Sequence, residues 1–269
     1  MSKAFNVSAF ASATERKTVF LAGTYVDGMS LAVFKSRFFG ISIIACDKKQ
    51  KKNLDEMMIV KGSVEGLRKG TLYLQKVIDT IVADIDSTVI NGSPNFEFMV
   101  PIESAEIFYL YLNKEDGDSL NDRILFFGEK GTIEINTLLK TFESSAKIIG
   151  SKNQELLQEY QSFNRKFNSQ NLDLMKDFYQ AQIDNKSKLA DSLKQKIDNL
   201  LERRYLYTIN FAARNTNENI APYLALTQVY DANLSLLDSI AVKMTQKVRN
   251  SKYGKEFIDF LEKRRKKEN

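Results

Sequence analysis

Apolar and polar residues alternate with a period of two from Met57 to about Ile135, and beyond Gly150 the apolar positions recur every three or four. The first rhythm belongs to half-buried strands and the second to amphipathic helices. Met58–Gly66 reads as a strand that ends at glycines. Gly70–Lys76 reads as a second, with Leu72 and Leu74 on one face and Thr71 and Tyr73 on the other. From Ile78 to Ile90, β-branched residues alternate with Asp79, Asp84 and Asp86, and Asn91-Gly92 then marks a turn. Phe96–Val100, Ile107–Leu112 and Ile124–Phe127 continue the pattern, and Gly131–Ile135 closes the series. Several short strands separated by turn residues predict an antiparallel β-sandwich or open barrel over residues 57–149.

Ser151, followed three residues later by Gln154, matches a capping box and predicts a helix start. Leu156, Tyr160, Phe163 and Phe167 form one stripe, and Leu189, Leu193, Ile197 and Leu200 a second. Leu234, Leu237, Ile240, Met244 and Val248 form a third, and the shorter segments 220–230 and 257–261 read as helices too. Such stripes are core faces of a helical bundle over 150–269. The predicted class is α+β, with the strands first.

The N-terminal segment has a different character. Lys35 and Arg37 precede the apolar run Phe38–Ala45, and Cys46, the only cysteine, ends it; five of the next six residues are charged and four of those are lysine. Basic residues, a brief apolar core and a small residue are the form of an export signal. Ile43-Ile44-Ala45-Cys46 resembles a bacterial lipoprotein box, in which cleavage falls between Ala45 and Cys46. The cysteine then receives a diacylglyceryl thioether and an N-acyl chain such as palmitate, and chains in that number anchor stably. The expected division is an export leader over 1–45 and a lipidated, solvated tether over 46–56, ahead of the sandwich and the helices. Met29 begins a leader of ordinary length, so residues 1–28 read as an upstream extension of the reading frame.

Charge and composition narrow the field. The chain carries a formal +5, but residues 1–45 hold five Lys/Arg against two acids, leaving 34 basic and 32 acidic residues beyond them. Nucleic acid is therefore not an expected partner. With no histidine and one thiol, the sequence excludes a Ser-His-Asp triad, a Cys-His nucleophile, a Cys/His zinc site and a CxxC redox centre. No apolar run reaches the length of a spanning helix. The expected attachment to membrane is by anchor.

Among the remaining candidates, Asp84 and Asp86 lie two apart on a predicted strand, so their side chains are expected to share a face, where paired carboxylates do acid/base work or bind a cation. Neither a third ligand nor a companion base accompanies them. Glu115, Asp116, Asp118 and Asp122 cluster in a loop that lacks calcium-loop spacing. Tyr109, Tyr111, Phe126 and Phe127 either line a groove or pack the core. Gly62, Gly66 and Gly70 lie between strands without a phosphate-binding pattern. Lys263–Lys267 is a solvated helix end or a patch for acidic lipid. No cofactor or metal is expected.

Val60-Lys61-Gly62 through Thr71–Leu74, Asp86–Gly92 with Phe96 and Phe98, Leu125–Ile133, Ile149-Gly150-Ser151 and Ser251–Gly254 together carry a family resemblance. The chain resembles the domain of unknown function that sits N-terminal to thioredoxin-like thiol–disulfide oxidoreductases in exported lipoproteins of some Gram-negative bacteria. The resemblance implies a β-sandwich followed by helices, export and lipid anchoring, with the body in the periplasm or at the cell surface. It implies no redox step for this chain, which reaches Asn269 without a Trp or a second Cys where the thioredoxin fold would begin. Two functions follow as expectations. One is a lipid-anchored cell-envelope binding or docking module without catalytic activity, with a thioredoxin-like oxidoreductase as the partner that the resemblance suggests. The other is a carboxylate-dependent hydrolase or glycan-processing enzyme using Asp84 and Asp86.

Overall fold

The structure, a computed structural model, describes residues 56–113 and 123–268. Eight strands come first: β1 (Met57–Glu65), β2 (Lys69–Ile78), β3 (Ile81–Asn91), β4 (Asn95–Pro101), β5 (Glu106–Asn113), β6 (Arg123–Gly128), β7 (Gly131–Leu138) and β8 (Lys147–Ile149). They form two four-stranded sheets, ordered β4-β1-β7-β8 and β3-β2-β5-β6. Six helices follow: α1 (Lys152–Ile183), α2 (Ser187–Arg214), α3 (Ile220–Gln228), α4 (Leu234–Lys243), α5 (Gln246–Arg249) and α6 (Lys252–Glu268). The class is α+β, and the strands make an open sandwich, not a closed barrel.

Alternation decides which side chains meet. Leu72 and Leu74 of β2, Phe108, Leu110 and Leu112 of β5, and Ile124 and Phe126 of β6 face Val60, Phe98, Ile133 and Ile135 of the other sheet in one buried cluster. Phe108 and Phe126 stack at 5.9 Å. Burying each such ring contributes about 1.5–3 kcal/mol. The opposite face of β5 and β6 is also apolar: Ile107 and Phe127 enter a second core with Leu157, Phe211, Leu224, Ile240 and Phe257 from the helices. The second sheet therefore lies between the first sheet and the helices, a three-layer arrangement.

Three details depart from the sequence reading. Although the other five strand pairs are antiparallel, β1 and β7 run parallel. β2 and β3 are separate strands joined by Asp79-Thr80, where Ile78 pairs with Ile81 and Asp79 adopts φ +56°; the alternating run that begins at Ile78 conceals the turn. The stripe from Leu234 to Val248 is divided between two helices: Met244 turns extended and the Thr245 hydroxyl accepts from Val248 N–H to cap α5. Its last members stay buried because both short helices lie on the same core.

The Ser151 side chain accepts from Gln154 N–H, as a capping residue should. Gln154 does not reach back to close the box. Its Oε1 accepts from Phe127 N–H at 2.7 Å, so the first turn of α1 covers the open edge of β6. Gly150, at φ +100°, makes this junction possible, because a Cβ there would lie 2.1 Å from Thr132 O.

Candidate functional site

The two carboxylates proposed as a pair do not form one. β2 and β3 shift register between Leu74 and Gln75, so that Asp86 pairs with Leu74 while Asp84 pairs with Gln75. Adjacent residues of β2 point to opposite faces, and cross-strand partners share a face. The β-bulge at Ile85 therefore puts Asp84 and Asp86 on opposite sides of the sheet, correcting the shared face expected from their spacing. Asp84 accepts from Gln75 Nε2 at 2.7 Å, and Asp86 accepts from Ser87 N–H at 2.8 Å. Among the described residues no group of three or more Asp, Glu, Cys or His side chains is placed to hold a metal.

The aromatic candidates separate by face. Phe126 is buried in the sandwich and Phe127 under the helices, edge-on to Tyr223 and Tyr253. Tyr109 packs on the helical core, and Tyr111 lies tilted against Tyr73 beneath the Arg123 guanidinium. Of the basic C-terminal run, Arg264 donates to Tyr230 O and Ala232 O, and Arg265 pairs with Asp238, so these two fasten α6 to the helices before it. Ala45, Cys46, Glu115, Asp116, Asp118 and Asp122 lie outside the described residues.

Two surfaces remain, and the first is a cleft of about 950 Å³ where sandwich and helices meet. At its floor Glu106, nearly buried, receives Lys76 Nζ at 3.0 Å and Lys252 Nζ at 2.6 Å, tying β2, β5 and α6 together. The β2–β5 ladder ends at Lys76 and Phe108, which leaves Ile107 N–H without a strand partner. The Tyr253 hydroxyl takes that bond at 3.0 Å. Desolvation in this position pushes the Tyr253 phenol well above its ordinary range. Glu256 is raised, first by burial and further by Glu106 despite the opposing Lys252. Val77 and Ile78 form one wall and Glu56 another.

The second surface is the helical hairpin. No α1 residue between Gln161 and Gln180 is buried, so over roughly 30 Å the hairpin packs chiefly on itself. Its α1 seam is Tyr160, Asn164, Phe167, Asn171, Leu174, Phe178 and Ala181, a 4-3 spacing matched on α2 by Ala190, Leu193, Ile197, Leu200, Arg204, Tyr207 and Phe211. That is coiled-coil spacing. At its root Tyr207 packs on Phe163 at 4.7 Å, and burial pushes its phenol up to about 12. Outward, Leu172, Tyr179, Ile183 and Leu189 are exposed.

The described residues thus form a three-layer α+β body with a helical hairpin that packs chiefly on itself. Residues 58–157 match the model of a family described as Domain of unknown function (DUF4369). The match takes in the sandwich and the first turn and a half of α1. No curated protein and no solved structure matches the chain.

Proposed function

We propose that this protein is a cell-envelope docking module, anchored by lipid on Cys46 and without catalytic activity, whose helical hairpin is the arm that meets a protein partner. The observation that carries the reading is the hairpin's outward apolar set, Leu172, Tyr179, Ile183 and Leu189, on an arm already closed along its own seam. Exposed apolar side chains clustered on a projecting element mark interaction surfaces. The separation of Asp84 from Asp86 by the Ile85 bulge weighs against the hydrolase alternative, which needs both on one face. A thioredoxin-like thiol–disulfide oxidoreductase is the partner that the resemblance favours.

The test is made in intact cells. A photo-crosslinking residue at Leu172 or Tyr179 should recover one envelope protein, and the same residue at Val89, on the edge strand β3, should not. Recovery of nothing from either hairpin position, in a chain that fractionates correctly, overturns the docking reading. Labelling with a radioactive fatty acid should mark the wild type and leave Cys46→Ala unlabelled; label retained by the mutant removes the anchor.

A further inference from the structure

The tip of the β2–β3 hairpin has no structural role that explains its composition. Its four aliphatic residues are exposed: Val77 by 36%, Ile78 by 46%, Ile81 by 71% and Val82 by 40%. They pair as Val77–Val82 and Ile78–Ile81, consecutive rungs of the ladder. Consecutive rungs point to opposite faces, so both faces of the ribbon are apolar, where a solvated hairpin keeps at least one polar. The ribbon also stands clear of its sheet, because the pairing of β2 with β5 stops at Lys76. Extending an apolar ribbon beyond the core adds exposed apolar surface and buries nothing within the fold.

Position supplies the occupant. Glu56, the residue through which the chain enters β1, lines the same cleft as Val77 and Ile78. The ten residues from Cys46 to Asp55 reach at most about 35 Å when fully extended. If Cys46 carries the anchor, Glu56 is held within that distance of a bilayer whenever the protein is attached, and the tip lies across the cleft from it. We propose that the β2–β3 tip is a second membrane contact, inserting Ile78 and Ile81 at the boundary between lipid headgroups and acyl chains. This rests on the lipid-anchor reading for its placement, though its chemistry needs only a bilayer.

Charge sets the depth and the lipid preference. Asp79 at the apex keeps the turn among the headgroups, so the insertion is shallow, in the manner of interfacial anchors. Around the tip, Lys76, Lys130 and Lys252 are outnumbered by Glu56, Asp79, Glu103, Glu106 and Glu256. Attraction to anionic lipid is therefore not the driving force, and neutral phosphatidylcholine should suffice.

The chain contains no tryptophan, so Ile81→Trp introduces a single reporter at an exposed site. It would be made in the full chain with Cys46→Ala, which removes any acyl group, and compared with Leu172→Trp on the helical hairpin. On adding phosphatidylcholine vesicles, the Ile81→Trp emission should shift to the blue and lose intensity when the acyl chains carry bromine, as a side chain at the headgroup–acyl boundary would. The Leu172→Trp emission should do neither. Unshifted emission from Ile81→Trp, or equal shifts from both reporters, overturns the proposal. So does a shift that only envelope protein produces, which would give the tip to a protein partner. Because no acylation is involved, failure here leaves the Cys46 label intact, and loss of that label leaves this result intact.

Discussion

At the residue scale, the junction of sandwich and helices depends on side chains that complete interrupted strand ladders. Gln154 closes the open edge of β6 at Phe127, and Tyr253 accepts the Ile107 N–H that β2 abandons when it departs toward its tip. Leaving a buried backbone donor unpaired costs about 1–3 kcal/mol. Tyr253→Phe keeps the ring against Phe127 and Tyr223 and removes only the acceptor, so it should lower unfolding free energy by about that amount. Chemical denaturation of both proteins measures it, and an unchanged midpoint would show the bond to be dispensable. Gly254, next in the chain, admits no side chain: a Cβ there would meet Val248 O at 1.9 Å. The sequence identified Ser251–Gly254 as a familiar stretch, but tyrosine and glycine in a helix do not announce that one supplies an acceptor to a strand more than a hundred residues away.

At the scale of elements, strands were legible wherever one face is buried. Leu72 and Leu74, Phe96 and Phe98, and Ile133 and Ile135 fall into register as their alternation requires. Partnership was not legible: nothing in the Met58–Val64 pattern distinguishes an antiparallel neighbour from the parallel β7. Nor was the Ile85 bulge, because one extra residue leaves composition unchanged while reversing the faces that follow it. The first helical stripe was partly legible. Tyr160 and Phe167 lie in the seam of α1, whereas Phe163 flanks it, and the seam positions on either side of Phe167 are the polar Asn164 and Asn171. Both asparagines have an Oδ1 shielded from solvent and without a partner. A polar residue in a coiled-coil seam sacrifices stability for a defined register. Asn171→Leu should therefore stabilise the chain by about 1 kcal/mol, visible as a raised melting temperature and slower amide exchange over 161–180. Unchanged exchange in that segment would mean that the asparagine has found water at no cost.

At the scale of the whole molecule, one polar network joins three regions that the sequence reading kept apart. Glu129, in the β6–β7 turn, accepts Lys152 N–H at 2.6 Å and Asn153 Nδ2 at 2.7 Å. The same Nδ2 lies 3.3 Å from Glu218 in the α2–α3 link, and Asn153 Oδ1 accepts from Ile220 N–H at 2.9 Å. One buried asparagine thus fixes α1, the sandwich and α3 to one another, with two carboxylates sharing its amide. Desolvation raises the Glu218 pKa, and the nearby Glu129 raises it further against Lys247, Asn153 and Lys152. An acid whose folded pKa exceeds its unfolded value binds its proton more tightly in the native state. Its effect on stability is absent where both states are protonated, and stability is lost as pH rises from the ordinary carboxylate range through the folded pKa. Glu218→Gln preserves an acceptor for Asn153 and cannot ionise. The melting temperature of this variant relative to wild type should therefore rise between pH 4 and pH 7, carboxylates remote from Glu218 cancelling in the comparison. A difference that does not change with pH would mean that Glu218 titrates alike in the folded and unfolded chains, and that the link between helices and sandwich carries no electrostatic penalty at neutral pH.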